Sequence, residues 1–261
     1  MFADSHCHLD LVLDKSDYDI NQIVSFAFAK GVQYILSPGT CVESIPKILD
    51  TIKSYKNITA AIGSHPNTIY NHNIPILEKL LTLGTDNKIV AIGETGLDYY
   101  HAKNIQEREN QKQIFKWHIA AAKELHKPLI IHARESEEDL IQILKSELSN
   151  KNSKISGVLH CFTGSSYFAQ TLIDMGFYIS FSGIITFKNA KNLQSIVKEI
   201  PLDKMLIETD SPFLSPEPMR GQINTPAYLP HIAEFIAKLL KVPCKNIAQY
   251  TTENFLKLYK I

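Results

Sequence analysis

The chain has 261 residues, of which 44% are hydrophobic and 21% are charged, a composition typical of a globular protein and not of a disordered chain. Its 27 basic residues balance its 27 acidic residues, which excludes a strongly basic surface that binds any nucleic acid without selection. The four cysteines include no Cys-x-x-Cys pair, and the chain shows no signal peptide and no apolar stretch long enough for a membrane span. We therefore expect a cytoplasmic protein with reduced thiols.

Short apolar runs alternate with helical patterns along the whole chain. The eight runs are Met1–His8, Val32–Leu36, Ile58–Ile62, Ile89–Ile92, Pro128–Ile131, Ile155–Leu159, Phe177–Phe181 and Met205–Ile207. Most have the length of a strand that is buried on both faces. Between them, apolar stripes such as those from Ile114 to Leu125 and from Leu229 to Leu239 predict amphipathic helices.

This alternation predicts an α/β protein, a (β/α)₈ TIM barrel that forms a single domain over residues 1–261. A doubly wound open sheet is the alternative, although the Gly-x-Gly-x-x-Gly turn that usually accompanies it is absent. Active sites of (β/α)₈ barrels lie at the carboxyl ends of the strands. Here a histidine or a carboxylate follows six of the eight predicted strands, namely at His6 and His8, His65, Glu94, His132, His160 and Asp210.

His6 and His8 are two residues apart, so on a strand their imidazoles point to the same side with Cα atoms about 6.6 Å apart. Both could bind one ion, although a polar strand end with two chance histidines is the alternative. Four imidazoles and two carboxylates exceed what one tetrahedral ion needs, and they suit two divalent ions about 3.5–4 Å apart. We expect Zn²⁺, Mn²⁺ or Mg²⁺. Glu94 is the expected bridge, with one ion at His6, His8 and Asp210 and the other at His132 and His160.

Two further carboxylates, Asp4 and Glu208, share faces with the candidate ligands. We expect them either to bind the outer nitrogens of ligating imidazoles or to pair with Arg134; a solvated position is the alternative for Glu208. Asp210 precedes a Ser-Pro turn and could instead cap a helix.

The remaining histidines have simpler interpretations. His118 lies on an apolar stripe and reads as a buried core histidine, and His231 in a late helix reads as structural. Surface roles suffice for His72, His101 and His126.

Taken together, seven motifs resemble those of the TatD family of metal-dependent hydrolases, and its bacterial YcfH-like branch most of all. They are Asp4-Ser5-His6-Cys7-His8-Leu9-Asp10, Gly63-Ser64-His65-Pro66, Gly93-Glu94-Thr95-Gly96-Leu97-Asp98-Tyr99-Tyr100, His132-Ala133-Arg134, Leu159-His160-Cys161-Phe162-Thr163-Gly164, Phe181-Ser182-Gly183 and Glu208-Thr209-Asp210-Ser211-Pro212. The resemblance extends over essentially the whole chain.

The resemblance implies a barrel with two divalent metals that hydrolyses DNA phosphodiesters from the 3′ end, acting on single strands or strand ends. It implies metal ligands at His6, His8, Glu94, His132, His160 and Asp210, with Glu94 and Asp210 catalytic. Substrate contacts are expected at His65, Asp98, Arg134 and Arg220. Two residues beside Arg220 depart from the family pattern, because Met219 replaces a usual histidine and Gln222 a usual basic residue. These departures weaken the expected grip on the DNA backbone and leave the hydrolase inference intact.

Two other functions remain open at the level of sequence. The same metals could hydrolyse an ester or amide, such as the aminoacyl bond of a mischarged D-aminoacyl-tRNA. A partner-binding scaffold without turnover is a further alternative, but every ligand position is present, which argues against it. No membrane or obligate protein partner is expected.

Overall fold

The computed structural model describes residues 1–68, 76–149 and 155–261, and among them eight parallel strands follow one another around a single sheet in sequence order. The strands are β1 (Phe2–Asp4), β2 (Val32–Pro38), β3 (Ile58–Ile62), β4 (Ile89–Asp98), β5 (Leu129–Arg134), β6 (Gly157–Leu159), β7 (Tyr178–Phe181) and β8 (Met205–Ile207). The helices are α1 (Leu9–Lys15), α2 (Ile20–Ala29), α3 (Ile45–Ile52), α4 (Ile76–Leu83), α5 (Ile105–Glu124), α6 (Glu137–Leu148), α7 (Ser166–Asp174), α8 (Lys191–Ile196), α9 (Leu229–Leu240) and α10 (Cys244–Tyr259). The predicted α/β barrel is confirmed, and the open sheet is wrong.

The barrel closes where β8 meets the chain that follows β1. The Ser5 amide donates to the carbonyl of Ile207, and the Asp210 amide donates to the carbonyl of His6. A parallel bridge between Cys7 and Ser211 continues this seam beyond both strands. The polar segments after the first and last strands are therefore tied together by backbone hydrogen bonds.

Six of the eight strands differ from the predicted runs at one or both ends, and β1, β5 and β4 are examples. β1 ends at Asp4, so His6 and His8 follow the strand and do not lie on it. β5 begins at Leu129, one residue after Pro128. β4 continues to Asp98 through a polar segment that the apolar pattern had excluded.

Apolar side chains fill the barrel from its amino end. This interior cluster takes one residue from each strand and three from α10, namely Ala3, Leu36, Ala61, Ala91, Ile130, Val158, Tyr178, Leu206, Phe255, Leu258 and Tyr259. Helix α10 covers the amino end of the strands, because Thr252 donates to the carbonyl of Met1 and Asn254 donates to that of Met205. A larger apolar cluster packs the outer faces of the strands against the surrounding helices. The carboxyl end of the barrel is the end that stays open.

Within the described ranges, none of the helices combines the length and the apolar character that crossing a membrane requires.

Candidate metal centre

All six expected ligands converge at the carboxyl end of the barrel. Glu94 and His132 lie on β4 and β5, and the other four follow strands: His6 and His8 after β1, His160 after β6 and Asp210 after β8. They converge although β1 ends early, because backbone hydrogen bonds hold the segment after β1 against the segment after β8.

Glu94 lies at the centre of the cluster, and its two carboxylate oxygens face opposite groups of imidazoles. Its Oε2 lies 3.3 Å from Nε2 of His6 and 3.6 Å from Nε2 of His8. Its Oε1 lies 2.8 Å from Nε2 of His160 and 3.2 Å from Nδ1 of His132. One carboxylate therefore connects two sets of donor atoms.

The distances within each set suit a metal shell. Nε2 of His6 lies 3.1 Å from Nε2 of His8, and Oδ1 of Asp210 lies 3.6 Å from Nε2 of His8. On the other side, Nδ1 of His132 lies 3.4 Å from Nε2 of His160. Donors about 2.0–2.1 Å from a tetrahedral ion are separated by roughly 3.3 Å, so the residues present fit divalent metals.

Two outer ring nitrogens of this cluster are held by carboxylates. Nδ1 of His160 donates to Glu208 over 3.3 Å, and Nε2 of His132 donates to Asp98 over 3.3 Å. Such partners fix the orientation and tautomer of a ligating imidazole. Glu208 thus binds the outer nitrogen of an imidazole, which is the first of its two expected roles. It is fully buried, which rules out the solvated alternative.

Asp4 takes neither of its two expected roles. Its carboxylate accepts the Thr209 amide at 2.9 Å and the Thr209 hydroxyl at 2.6 Å. Burial raises the pKa of Asp4 to about 8, although the hydrogen bonds from Thr209 oppose that rise. Through these hydrogen bonds to Thr209, Asp4 holds in place the segment that leads to Asp210.

Asp98 lies behind His132 and not on the cavity wall. Its side chain is 1% exposed and also accepts hydrogen bonds from Nδ2 of Asn67 and Nδ1 of His101, at 2.9 and 2.8 Å. His101 lies at the surface as expected, with its side chain 47% exposed, and its ring also joins the chain of contacts that ends at His132. His72 lies outside the described residues.

His65 joins the cluster from the segment after β3. Its Nε2 lies 3.4 Å from Oε1 of Glu94. Its Nδ1 accepts the Asn67 amide at 3.1 Å, so in the neutral ring the proton is on Nε2. His65 consequently presents a hydrogen-bond donor to the centre.

Gly96 allows β4 to approach β5 closely at this point. Its φ of +135° is one that side-chain-bearing residues rarely adopt, and a Cβ there would lie 2.0 Å from the carbonyl oxygen of His132. The two strands that carry Glu94 and His132 therefore pack together only with glycine at this position.

Burial and mutual attraction determine how the cluster ionises. Burial raises the pKa of Asp210 to about 7, and the imidazole of His160 opposes it. Burial also acts to raise the pKa of Glu94, but the surrounding imidazoles outweigh it and hold that pKa well below its usual range. Glu94 and Glu208 in turn outweigh burial at His160 and raise its pKa well above its ordinary value. The centre therefore holds Glu94 as an anion, the form that a cation binds.

A cavity of about 750 Å³ opens above the cluster. Arg134 lies at its edge, with its guanidinium 3.9 Å from the centre of the Tyr100 ring. Arg220, which the family motif placed at the substrate, instead packs over Phe187 at 3.9 Å and lies outside the residues that line this cavity. No local sequence pattern indicates the contact between Arg220 and Phe187.

Sequence reasoning did not single out the apolar side of this cavity. That side is formed by Leu11, Ile184, Phe213 and Leu214. In the sequence, Phe213 is marked only by its position three residues after Asp210, and no hydrophobic periodicity distinguishes it.

Comparison with known proteins identifies the family of this chain. A family model described as TatD related DNase matches residues 3–260. The chain belongs to the TatD family. The uncharacterized metal-dependent hydrolase YabD of Bacillus subtilis is 41% identical over 261 residues, which cover 100% of both chains. YcfH of Escherichia coli, also an uncharacterized metal-dependent hydrolase, is 41% identical over 99% of this chain and 96% of its own length.

Two further TatD relatives extend the comparison. The 3′-5′ ssDNA/RNA exonuclease TatD of Salmonella typhimurium is 31% identical over 93% of this chain and 94% of its own length. The crystal structure of YJJV, a TatD homolog from Escherichia coli, superposes with a TM-score of 0.88 at 28% identity, covering 100% of this chain and 98% of that one. The chain is a metal-dependent hydrolase, and the predicted likeness to the YcfH-like branch is confirmed.

Proposed function

We propose that residues 1–261 form one hydrolase domain that cleaves DNA phosphodiester bonds with two divalent metal ions, removing nucleotides from the 3′ end of single strands or strand ends. The arrangement of Glu94 carries the proposal, because its two oxygens face two separate sets of donors. Paired ions about 3.5–4 Å apart are used by phosphatases and nucleases for in-line displacement at phosphorus. The exonuclease activity of the Salmonella relative supports the choice of a nucleic acid.

The donor set divides between the two ions. We assign His6, His8 and Asp210 to one ion and His132 and His160 to the other, with Glu94 bridging them. Mixed imidazole and carboxylate donors suit Zn²⁺, Mn²⁺ or Mg²⁺. When bound, the ions would lower the pKa of a water molecule toward ~7 and offset negative charge on the phosphoryl oxygens.

Asp210 is the proposed proton acceptor. Its Oδ1 faces His8 and His6, while its side chain lines the cavity and is 13% exposed. Its second oxygen can therefore take the proton of the attacking water from the cavity side.

Three further side chains act on the substrate or on a ligand. His65 donates through Nε2 to a phosphoryl oxygen, and Arg134, held by the Tyr100 ring, faces the phosphate from the rim. Asp98 positions His132 through its outer nitrogen and does not itself touch substrate. We do not assign Arg220 a role in the first contact with substrate.

Metal removal tests this function directly. The protein is stripped with a chelator and reloaded with Mn²⁺, Mg²⁺ or Zn²⁺. It is then assayed in single turnover on a 5′-labelled single-stranded DNA and, in parallel, on an aminoacyl ester. We expect the DNA to shorten from its 3′ end only after reloading. Ester turnover without DNA cleavage would instead establish the deacylase alternative. Full activity in a preparation shown by elemental analysis to be metal-free would contradict both.

A further inference from the structure

The cavity above the metal centre has two chemically different sides. Polar and charged side chains form one of them, namely Thr40, His65, Thr68, Arg134 and Thr163. The other side is the apolar wall of Leu11, Ile184, Phe213 and Leu214. Hydrolysis of a phosphodiester requires donors, cations and a base, so this reaction leaves the apolar wall without a role.

Phe213 is the exposed aromatic of this wall, and its backbone is held firmly. Its amide donates to the carbonyl of Asp210 at 3.0 Å, and its own carbonyl accepts Nδ2 of Asn224 at 2.6 Å. Asn224 is fully buried, whereas the Phe213 side chain is 42% exposed. The ring is therefore anchored at its base, three residues from the proposed catalytic carboxylate, with part of its surface open to solvent.

A cation accompanies this ring. Nζ of Lys15 lies 4.3 Å from the centre of the Phe213 ring, and the His8 ring lies 6.5 Å away from it, edge to face. Across residues 1–68, 76–149 and 155–261, Lys15 forms no salt bridge. Proteins that bind single-stranded nucleic acids combine aromatic rings, on which bases stack, with cations that follow the backbone. Phe213 and Lys15 together have this composition.

We propose that Phe213 is the stacking platform for the nucleobase that adjoins the scissile phosphate, with Lys15 facing the neighbouring phosphate. The inference rests on the proposed function and makes it more specific. A base in a duplex is paired and stacked, so it reaches the ring only after it unpairs, whereas an unpaired base can lay one face on the ring at once. The centre therefore favours an unpaired nucleotide at the bond it cuts.

The test compares Phe213→Ala with Phe213→Tyr and with a matched control, Phe26→Ala. Phe26 is 47% exposed on α2 and is not among the residues that line the cavity. The substrates are single-stranded DNAs of one sequence that carry either normal nucleotides or one abasic residue on either side of the 3′-terminal linkage. Metal content per chain and the thermal midpoint are measured for every variant.

We expect Phe213→Ala to raise KM for normal DNA by roughly 5- to 100-fold, the equivalent of one lost base stack, with little change in kcat. One of the two abasic substrates should bind the wild type as weakly as the Ala variant binds normal DNA, and the substitution should not weaken it further. Phe213→Tyr should retain the wild-type KM, because its ring still stacks. Phe26→Ala should behave like the wild type.

Two results would overturn the inference while leaving the nuclease intact. One is equal KM for normal and both abasic DNAs in the wild type. The other is a loss in Phe213→Ala that is the same on every substrate, which would indicate a purely structural ring. A metal-loaded wild type that cleaves no DNA would overturn the proposed function, and this inference with it.

Discussion

The two ends of the barrel interior are built from the same eight strands and have opposite chemistry. At the amino end, each strand contributes an apolar residue, and α10 closes the cluster with Phe255 and Tyr259. At the carboxyl end, Glu94, His6 and His160 are just as deeply buried, yet they face one another with nitrogen and oxygen atoms. The two ends therefore have different roles. Packing at the amino end anchors the strands, and their carboxyl ends hold the converging polar groups.

The polar end gains little from burial itself. Removing a carboxylate and several imidazoles from water is costly unless they find partners of opposite charge. Divalent ions would supply the positive charge that pairs with the carboxylates. Substitutions at the carboxyl end should therefore change metal content and rate, whereas substitutions at the amino end should change stability.

The largest effect is expected for Glu94→Gln. The amide keeps the shape of the side chain but removes the negative charge between the two sets of donors, so both metals should be lost. We expect the hydrolysis rate to fall by more than ~10⁴-fold. Elemental analysis and single-turnover cleavage measure the two quantities. Glu109→Gln, the same change at a 57% exposed carboxylate, is the control. A variant that keeps two metals per chain would show that Glu94 is not the bridge.

Asp210→Asn should lower the rate without unfolding the protein. Loss of general-base assistance is typically worth about 10²–10⁴ in rate, and one ion should also bind less tightly. The helix-cap alternative is wrong for the described chain, because Asp210 leads into a turn and the next helical segment is the 3₁₀ turn Pro226–Tyr228. Single-turnover rates and circular dichroism provide the measurements. A near-normal rate would mean that the base lies elsewhere.

Phe255→Ala examines the apolar end. The ring is 1% exposed inside the cluster that α10 closes, so its removal should lower the free energy of unfolding by about 3–5 kcal/mol. Urea unfolding of the metal-free protein measures this, and the half-exposed Phe26→Ala, which loses an edge-to-face contact with Tyr18, should cost only about 1 kcal/mol. Metal content per folded chain should not change. A parallel loss of metal would show that packing at the amino end also determines metal binding at the carboxyl end.

His118 connects α5 to the segment after β3, and its expected place in the core is confirmed. It is fully buried, its Nδ1 donates to the carbonyl of Ile114, and its Nε2 accepts the Ser64 amide. Burial lowers its pKa to about 4 from 6.5. Between these values the unfolded chain binds a proton that the folded one does not, so stability falls as the pH drops from about 6.5 to 4.

The contribution of His118 to that fall should be about 3 kcal/mol. His118→Gln retains a donor and an acceptor but does not titrate in this range. The difference in unfolding free energy between the wild type and this variant should therefore shift by that amount between pH 7 and pH 4, as measured by urea unfolding. A difference that stays constant with pH would contradict the buried neutral ring.

Apolar periodicity predicts the barrel well because strands buried on both faces leave a strong local signal. Ile58–Ile62 and Met205–Ile207 are predicted with the bounds observed for β3 and β8. β4 is predicted too short, since its second half pairs with β5 through Gly96 and Asp98 and carries no apolar pattern. Its register depends on a neighbouring strand, which local sequence does not encode.

The convergence of the six candidate ligands is predicted correctly, but partly for the wrong reason. Alternation along a strand was expected to align His6 and His8, whereas the seam with Ser211 and Asp210 holds them together. Where a loop folds is harder to predict. The position of Arg220 over Phe187 depends on contacts between distant segments, and no spacing rule contains them.

Asp98→Asn should give the smallest of these effects. It tests whether Asp98 at the carboxyl end positions His132 or touches substrate. Asp98 does not line the cavity, so we expect it to act on the metal centre through the hydrogen bond that it accepts from Nε2 of His132. Loss of such a partner typically costs about 10- to 100-fold in metal affinity or activity. Titration of metal-free protein with Zn²⁺ should therefore show weaker binding, while saturating metal should restore much of the rate. Asp14→Asn, the same change at a 57% exposed carboxylate, should leave both unchanged. If Asp98→Asn instead raises KM for DNA at full metal occupancy, Asp98 touches substrate, and the positioning role is wrong.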